Sequence, residues 1–117
     1  AFQTAMKLLA LPEPPDAFLA ISDLQALGIM LAITESGLKI PQDIGIFGYA
    51  NEPFTEMIIP SISSVDQNSE RLGYQAAMVY FDHILKNKES DEIITKIIES
   101  DLIIRSSSKR SNRAVSL

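Results

Sequence analysis

The chain has no cysteine. That excludes disulfides, thiolate metal sites and cysteine nucleophiles, and it suits a reducing compartment. Positive charge is also scarce: 10 Lys and Arg stand against 15 Asp and Glu, a net charge of −5. Such a surface is a poor partner for nucleic acid, whose binders are mostly basic. There is one histidine, His83, on a helical stretch beside Asp82 with no partner implied, so a nucleophilic triad is not available. No apolar run reaches the ~18 residues of a membrane span, and the opening residues lack the form of a signal peptide. Gly45 and Gly48 do not build a dinucleotide fingerprint, and there is no phosphate-binding glycine loop. No metal-ligand spacing and no internal repeat occurs. The reading is therefore not an enzyme, with no catalytic residues, no metal and no cofactor.

What is present is a globular composition. Of 117 residues, 46% are hydrophobic and 21% charged, enough for one domain with a core rather than a disordered chain. The first residue is Ala1, and "AFQTAMKLLA" has helical spacing with no cap before it. The chain reads as part of a longer protein.

Phe2 to Leu11 carries Phe2, Met6 and Leu9 on one helical face, and "PEPPD" stops it. "AFLAI", 17–21, suits a strand buried on both faces. Ser22 and Gln25 have capping-box spacing. The helix they open should run to about Ser36, with Gly37 as a left-handed cap and Leu38 as its hydrophobic contact. Between lies "LQALGIMLAI", apolar almost all round, which implies burial on two sides. "IGIFGY" is a second strand, 54–58 a helical turn ended by Pro60, and "SISSV" a third, more polar strand. Asn68 should cap a long helix with Glu70 in its first turn, Lys86 and Lys88 at its end, and Leu72, Ala76, Val79, Tyr80 and Ile84 on its apolar face. Ile93–Ile98 and Leu102–Ile104 read as strands, and 106–117 as a polar, basic, disordered tail beyond a domain at 1–105. The alternation of strands and helices defines an α/β domain with a parallel sheet.

In such sheets ligands bind at the carboxyl ends of the strands. Three of these ends carry small or polar groups: Ser22-Asp23, Ala50-Asn51 and Asp66-Gln67. Hydroxyl, amide and carboxylate together suit a neutral, hydroxyl-rich ligand such as a sugar. The plainer alternative stays open: Ser22 also serves as a helix cap, and Asn51 also suits a turn.

Three segments carry a resemblance. "PPDAFLAISDLQALGIMLAITESGLKIPQDIGIFGYANEPF", "PSISSVDQNSERLGYQAA" and "LIIRSSS" resemble, in order, the P-D-A…N-D…G…P-x-D-I…G-[FY]-D-[DN], P-x-L-T-T-V-x-Q and L-V-x-R-x-S segments of the lactose-repressor (LacI/GalR) family of bacterial transcription regulators. The resemblance covers 15–108. It implies a periplasmic-binding-protein-like (type I) fold, of which this chain is the C-terminal part of the effector-binding domain. It also implies a cytoplasmic homodimer, a small-molecule effector that is a sugar or a purine, and operator DNA bound only through an N-terminal domain outside this chain, with no membrane partner. Carried over by position, Ser22, Asp23, Ala50, Asn51 and Gln67 form the ligand edge. The family usually has Asn at Ser22 and Asp at Ala50, and some members an aromatic at Ser69. The resemblance puts the helix after Ser22 and "FTEMII" at the dimer interface, with Leu27, Met57 and Ile58 at its centre. The rival reading is a periplasmic sugar-binding protein of the same core fold.

Overall fold

A computed structural model describes residues 1–86, 91 and 93–111. The chain divides into two compact units, 1–66 with 102–117, and 67–101.

The first unit is an α/β layer. Its elements are α1 (Phe2–Leu9), β1 (Ala17–Leu19), α2 (Asp23–Glu35), β2 (Gly45–Tyr49), α3 (Phe54–Met57) and β3 (Ser63–Asp66). A last strand, β4 (Asp101–Ile103), closes a sheet ordered β1-β2-β3-β4. Both pairings with resolved register are parallel: Ala17 lies opposite Gly45 and Leu19 opposite Phe47, and Phe47 in turn lies opposite Ser63.

Helix α2 ends as its residues dictate. Gly37 takes φ +74°, a backbone region open to glycine without cost. Gly37 N then donates to Thr34 O at 3.0 Å and Leu38 N to Ile33 O at 3.1 Å, the two bonds of a Schellman end. At its start Ser22 Oγ accepts from Gln25 N at 3.3 Å.

The expectation that α2 is covered twice holds for its buried residues: the helix packs against α1 and against β2. Ala26, Ile29, Ala32 and Ile33 are buried there and join Ile44, Ile46 and Ile62 in the core. A third stripe remains. Leu24, Leu27 and Leu31 follow at i, i+3 and i+7, and Leu24 and Leu31 are 71% and 53% exposed.

Strand β1 differs from the expectation of burial on both faces. It lies at the end of the sheet order with one neighbour. Leu19, in register with Phe47, is 72% exposed. A short apolar run does not distinguish an edge strand from a central one.

The residues after β4 are also ordered more than a tail would be. Strands β2 and β3 pair only from Phe47–Ser63 onward, so Ile46 has no β3 partner. Ser107 takes that place. Ile46 N donates to Ser107 O at 2.9 Å, and Ser107 Oγ donates to Ile46 O at 2.7 Å. Ser63 N donates to Ser107 Oγ at 2.8 Å, and Ser107 N to Ser61 O at 2.9 Å. Ser107 is fully buried. Arg110 then caps three loop carbonyls, donating to Pro41 O, Asp16 O and Asp43 O. The rest of the expected tail, 112–117, lies outside the described residues.

The second unit contains α4 (Ser69–Val79), continued by a π-helical turn, Tyr80–Ile84. Glu70 sits in its first turn as expected. Asn68 occupies the cap position in a left-handed conformation but makes no capping side-chain bond. Its Nδ2 instead donates to Glu99 O and Asp101 Oδ2, both at 2.9 Å. No residue of α4 is buried, including Leu72 and Ala76 of the expected apolar face. Lys86 pairs with Asp82 at 3.1 Å, and Lys88 lies outside the described residues. Ile93–Ile98 was expected to be a strand; those residues carry no regular structure. β-branched composition favours strands only where a partner edge is at hand.

Ser107→Ala tests the closure of the first unit. It leaves Ser63 N and Ile46 O without their partner, so unfolding in urea should show a loss of about 1–3 kcal/mol. An unchanged midpoint would remove Ser107 from the account.

Candidate functional site at the carboxyl edge of the sheet

Strand β2 ends at Tyr49 and the chain turns sharply. Ala50 and Asn51 both take positive φ, 109° and 54°. The value at Asn51 is common for asparagine, but 109° is strained for alanine, at a cost of about 1–3 kcal/mol. Three successive amides hold the turn in place. Ala50 N donates to Val65 O at 2.9 Å, Asn51 N to Ser64 Oγ at 3.0 Å, and Glu52 N to Asp23 Oδ2 at 2.7 Å.

Asp23 and Ser64 are fully buried beneath the turn, and Ser64 Oγ donates to Asp23 Oδ1 at 2.6 Å. Both carboxyl oxygens of Asp23 are thus engaged by this chain. Asp23 also opens α2, where the helix dipole favours an acidic group. Gly48 makes room for it: a Cβ on Gly48 would lie 2.1 Å from Asp23 Oδ1. No side chain larger than hydrogen fits there without displacing the carboxyl group.

Above this layer lies a second set of contacts. Asn51 Nδ2 donates to Asp66 Oδ2 at 2.9 Å, and Asn51 Oδ1 accepts from Arg105 Nη2 at 2.8 Å. Arg105 Nη1 donates to Ile62 O at 2.9 Å and to Thr55 Oγ1 at 3.2 Å. Thr55 Oγ1 donates to Glu52 O at 2.6 Å, which ties α3 to the turn.

Of the expected ligand residues, the structure brings Asp23, Ala50 and Asn51 into this one assembly. Asp23 lies inside it, Asn51 is half-buried and Ala50 is exposed. Ser22 is half-buried at the start of α2, three residues past the end of β1. Gln67 follows the last residue of β3, is exposed, and opens the second unit. Of the expected interface residues, Met57 is 81% exposed while Leu27 and Ile58 are half-buried, Ile58 against the core.

Sequence reasoning missed Ser64, Thr55 and Arg105; it placed Asp66 at a strand end but not its bond to Asn51. One signal was visible: "SISSV" is too polar for a central strand unless its hydroxyls have buried partners. Chemically the edge offers an amide and backbone groups around a methyl, and no nucleophile–base pair. Among the described residues no group of three or more His, Cys, Asp or Glu is placed to hold a metal.

Comparison with known proteins agrees with this architecture. Residues 2–108 match the periplasmic binding protein-like domain family. The chain is 33% identical over 109 residues to the HTH-type transcriptional repressor PurR of Mannheimia succiniciproducens, covering 93% of this chain and 32% of that protein. The structure of a LacI transcriptional regulator from Bacillus cereus subsp. cytotoxis superposes with a TM-score of 0.84 at 32% identity, over 95% of this chain and 39% of that one. The lac repressor dimer bound to operator and the anti-inducer ONPF superposes at 0.79 with 29% identity, over 92% of this chain and 36% of that one. The class is thus a periplasmic-binding-protein-like α/β domain. Within it, the chain belongs to the lactose-repressor (LacI/GalR) family and is part of that family's effector-binding domain. It spans about a third of the length of the curated relatives it matches.

Gly48→Ala tests the buried layer. The added methyl must push Asp23 off Ser64 and Glu52, so stability should fall by about 2–4 kcal/mol. Wild-type stability in this variant would mean that Asp23 is not held as described.

Proposed function

We propose that the chain is the ligand-binding and self-association part of a cytoplasmic transcription regulator, not an enzyme. A small neutral ligand, a sugar or sugar derivative, would set the regulator's affinity for operator DNA. DNA is read by a domain outside this chain, in keeping with the net charge of −5. The observation that carries the reading is the turn at 49–52: strained at Ala50, over-determined by three amide bonds, and at the carboxyl edge where parallel sheets bind ligands. Relatives that are repressors by name support it.

Ser22, Ala50, Asn51 and Gln67 are proposed as the ligand-facing residues, with Asp23 as the group beneath that holds them. Ala50 supplies a methyl where the family usually has a carboxylate. Asp23 does not replace that carboxylate, because both its oxygens are spent. A ligand therefore meets amide groups and an apolar point.

For self-association, the stripe Leu24, Leu27 and Leu31 and the segment Met57–Ile59 offer exposed apolar area; Ile59 is 92% exposed. A second copy of the chain is the proposed partner, with Leu27, Met57 and Ile58 within the contact.

Two measurements test these readings. In the full-length protein, Gln67→Ala should weaken binding of whichever of ribose or hypoxanthine binds by roughly tenfold, a lost polar contact of about 1–2 kcal/mol, in titration calorimetry. Ligand-free operator affinity should not change. Binding equal to wild type would remove Gln67 from the site. Separately, Leu24→Arg with Met57→Asp replaces two exposed side chains, each contributing ~1.5–3 kcal/mol if buried between copies, so sedimentation should show monomers. A retained dimer would place the interface elsewhere.

A further inference from the structure

We propose that Arg105 is a positioning residue that couples the ligand edge to α3, by exchanging its hydrogen bond between Asn51 and Glu56. The inference rests on the reading of the 49–52 turn as the ligand edge.

Arg105 is fixed at both ends. Its backbone N donates to Ser63 Oγ at 2.6 Å, and Ser63 Oγ donates back to Arg105 O at 3.1 Å. Its side chain is only 13% exposed. Within the guanidinium the two terminal nitrogens have different tasks. Nη1 is anchored on Ile62 O and Thr55 Oγ1. Nη2 donates to Asn51 Oδ1 at 2.8 Å, and the same Nη2 lies 3.9 Å from Glu56 Oε1. At that distance Glu56 is not yet hydrogen-bonded. It is the second acceptor waiting on α3.

Asn51 is the side chain of the turn that a polar ligand engages. Its amide is already divided, Nδ2 to Asp66 and Oδ1 to Arg105. A ligand that takes the Asn51 carbonyl or rotates its amide leaves one Nη2 N–H without its acceptor in a nearly buried place. A guanidinium donor so placed recovers its bond from the nearest anion, and the planar fork lets Nη2 do so while Nη1 stays anchored. That acceptor is Glu56, whose side chain is 69% exposed and free to close the gap. Closing it pulls on α3, which ends at Met57 and leads directly into Ile58 and Ile59. Occupancy of the edge is thereby felt at the exposed apolar segment, through a group that touches neither ligand nor partner.

The test is a double-mutant cycle in the full-length protein, read by hydrogen exchange of the amides at 55–59. Asn51→Ala mimics withdrawal of the Asn51 carbonyl. It should change exchange there by about threefold or more in the wild-type background, and by much less in Glu56→Gln or Arg105→Lys. Glu56 is exposed, so Glu56→Gln keeps the cycle readable if Arg105→Lys folds poorly. A role limited to stability would give the same change in all backgrounds, and that result overturns the proposal. A second arm adds ribose or hypoxanthine to the wild type. Binding of either that leaves exchange at 55–59 unchanged also overturns it. Coupling in the cycle with neither compound bound supports the Arg105 link and counts against the choice of ligand alone.

Discussion

The carboxyl group of Asp23 is the contact on which the edge of the sheet depends. Among the described residues it has no charged partner, a costly arrangement for a buried carboxyl group unless its oxygens are satisfied. Here Ser64 Oγ and Glu52 N satisfy them, at 2.6 and 2.7 Å, and the first turn of α2 adds its dipole. The same contact links three elements: α2 through Asp23, β3 through Ser64, and the turn after β2 through Glu52. Removing the carboxyl group would leave two donors, Ser64 Oγ and Glu52 N, without their acceptor, the expensive half of the hydrogen-bond asymmetry. Gly48 is a consequence rather than a cause, since any Cβ would occupy the space the carboxyl group needs.

From that contact the rest of the site follows in order. The turn is held by amides, so the Asn51 side chain is spared for Asp66 and Arg105. Arg105 reaches the site because the chain after β4 is itself pinned by Ser63 and Ser107 at the other end of the sheet. Ala50 and Asn51 are thus supported from below by polar pairs and from the side by a nearly buried guanidinium. Strain at Ala50 persists because its neighbours leave the backbone no alternative.

Much of this was legible in the residues. The helix from Ser22 to Ser36 and its glycine end follow from local chemistry; the structure shows the Ser22 hydroxyl cap and both bonds of the Schellman end. Parallel pairing follows from strand–helix alternation, and the family resemblance from three collinear segments. What escaped depends on long-range contacts. Nothing local says that Asp23 reaches Ser64, 41 residues away, or that Arg105 reaches Asn51, 54 residues away. Asp23 was read as facing a ligand because strand-end carboxylates often do, and only packing reveals that both its oxygens face inward. The segment from 106 reads as tail because it is polar and basic, whereas here the Ser107 hydroxyl fills a gap in the ladder. The edge position of β1 and the irregular path of Ile93–Ile98 are likewise decided by which neighbours are at hand.

Asp23 fixes the conformation of the turn that carries Ala50 and Asn51. Amide hydrogen exchange of Ala50, Asn51 and Glu52 in Asp23→Ala measures this directly. Glu52 and Asn51 should lose their protection while the amides within β2 keep theirs. Protection at Asn51 and Glu52 equal to wild type would contradict it.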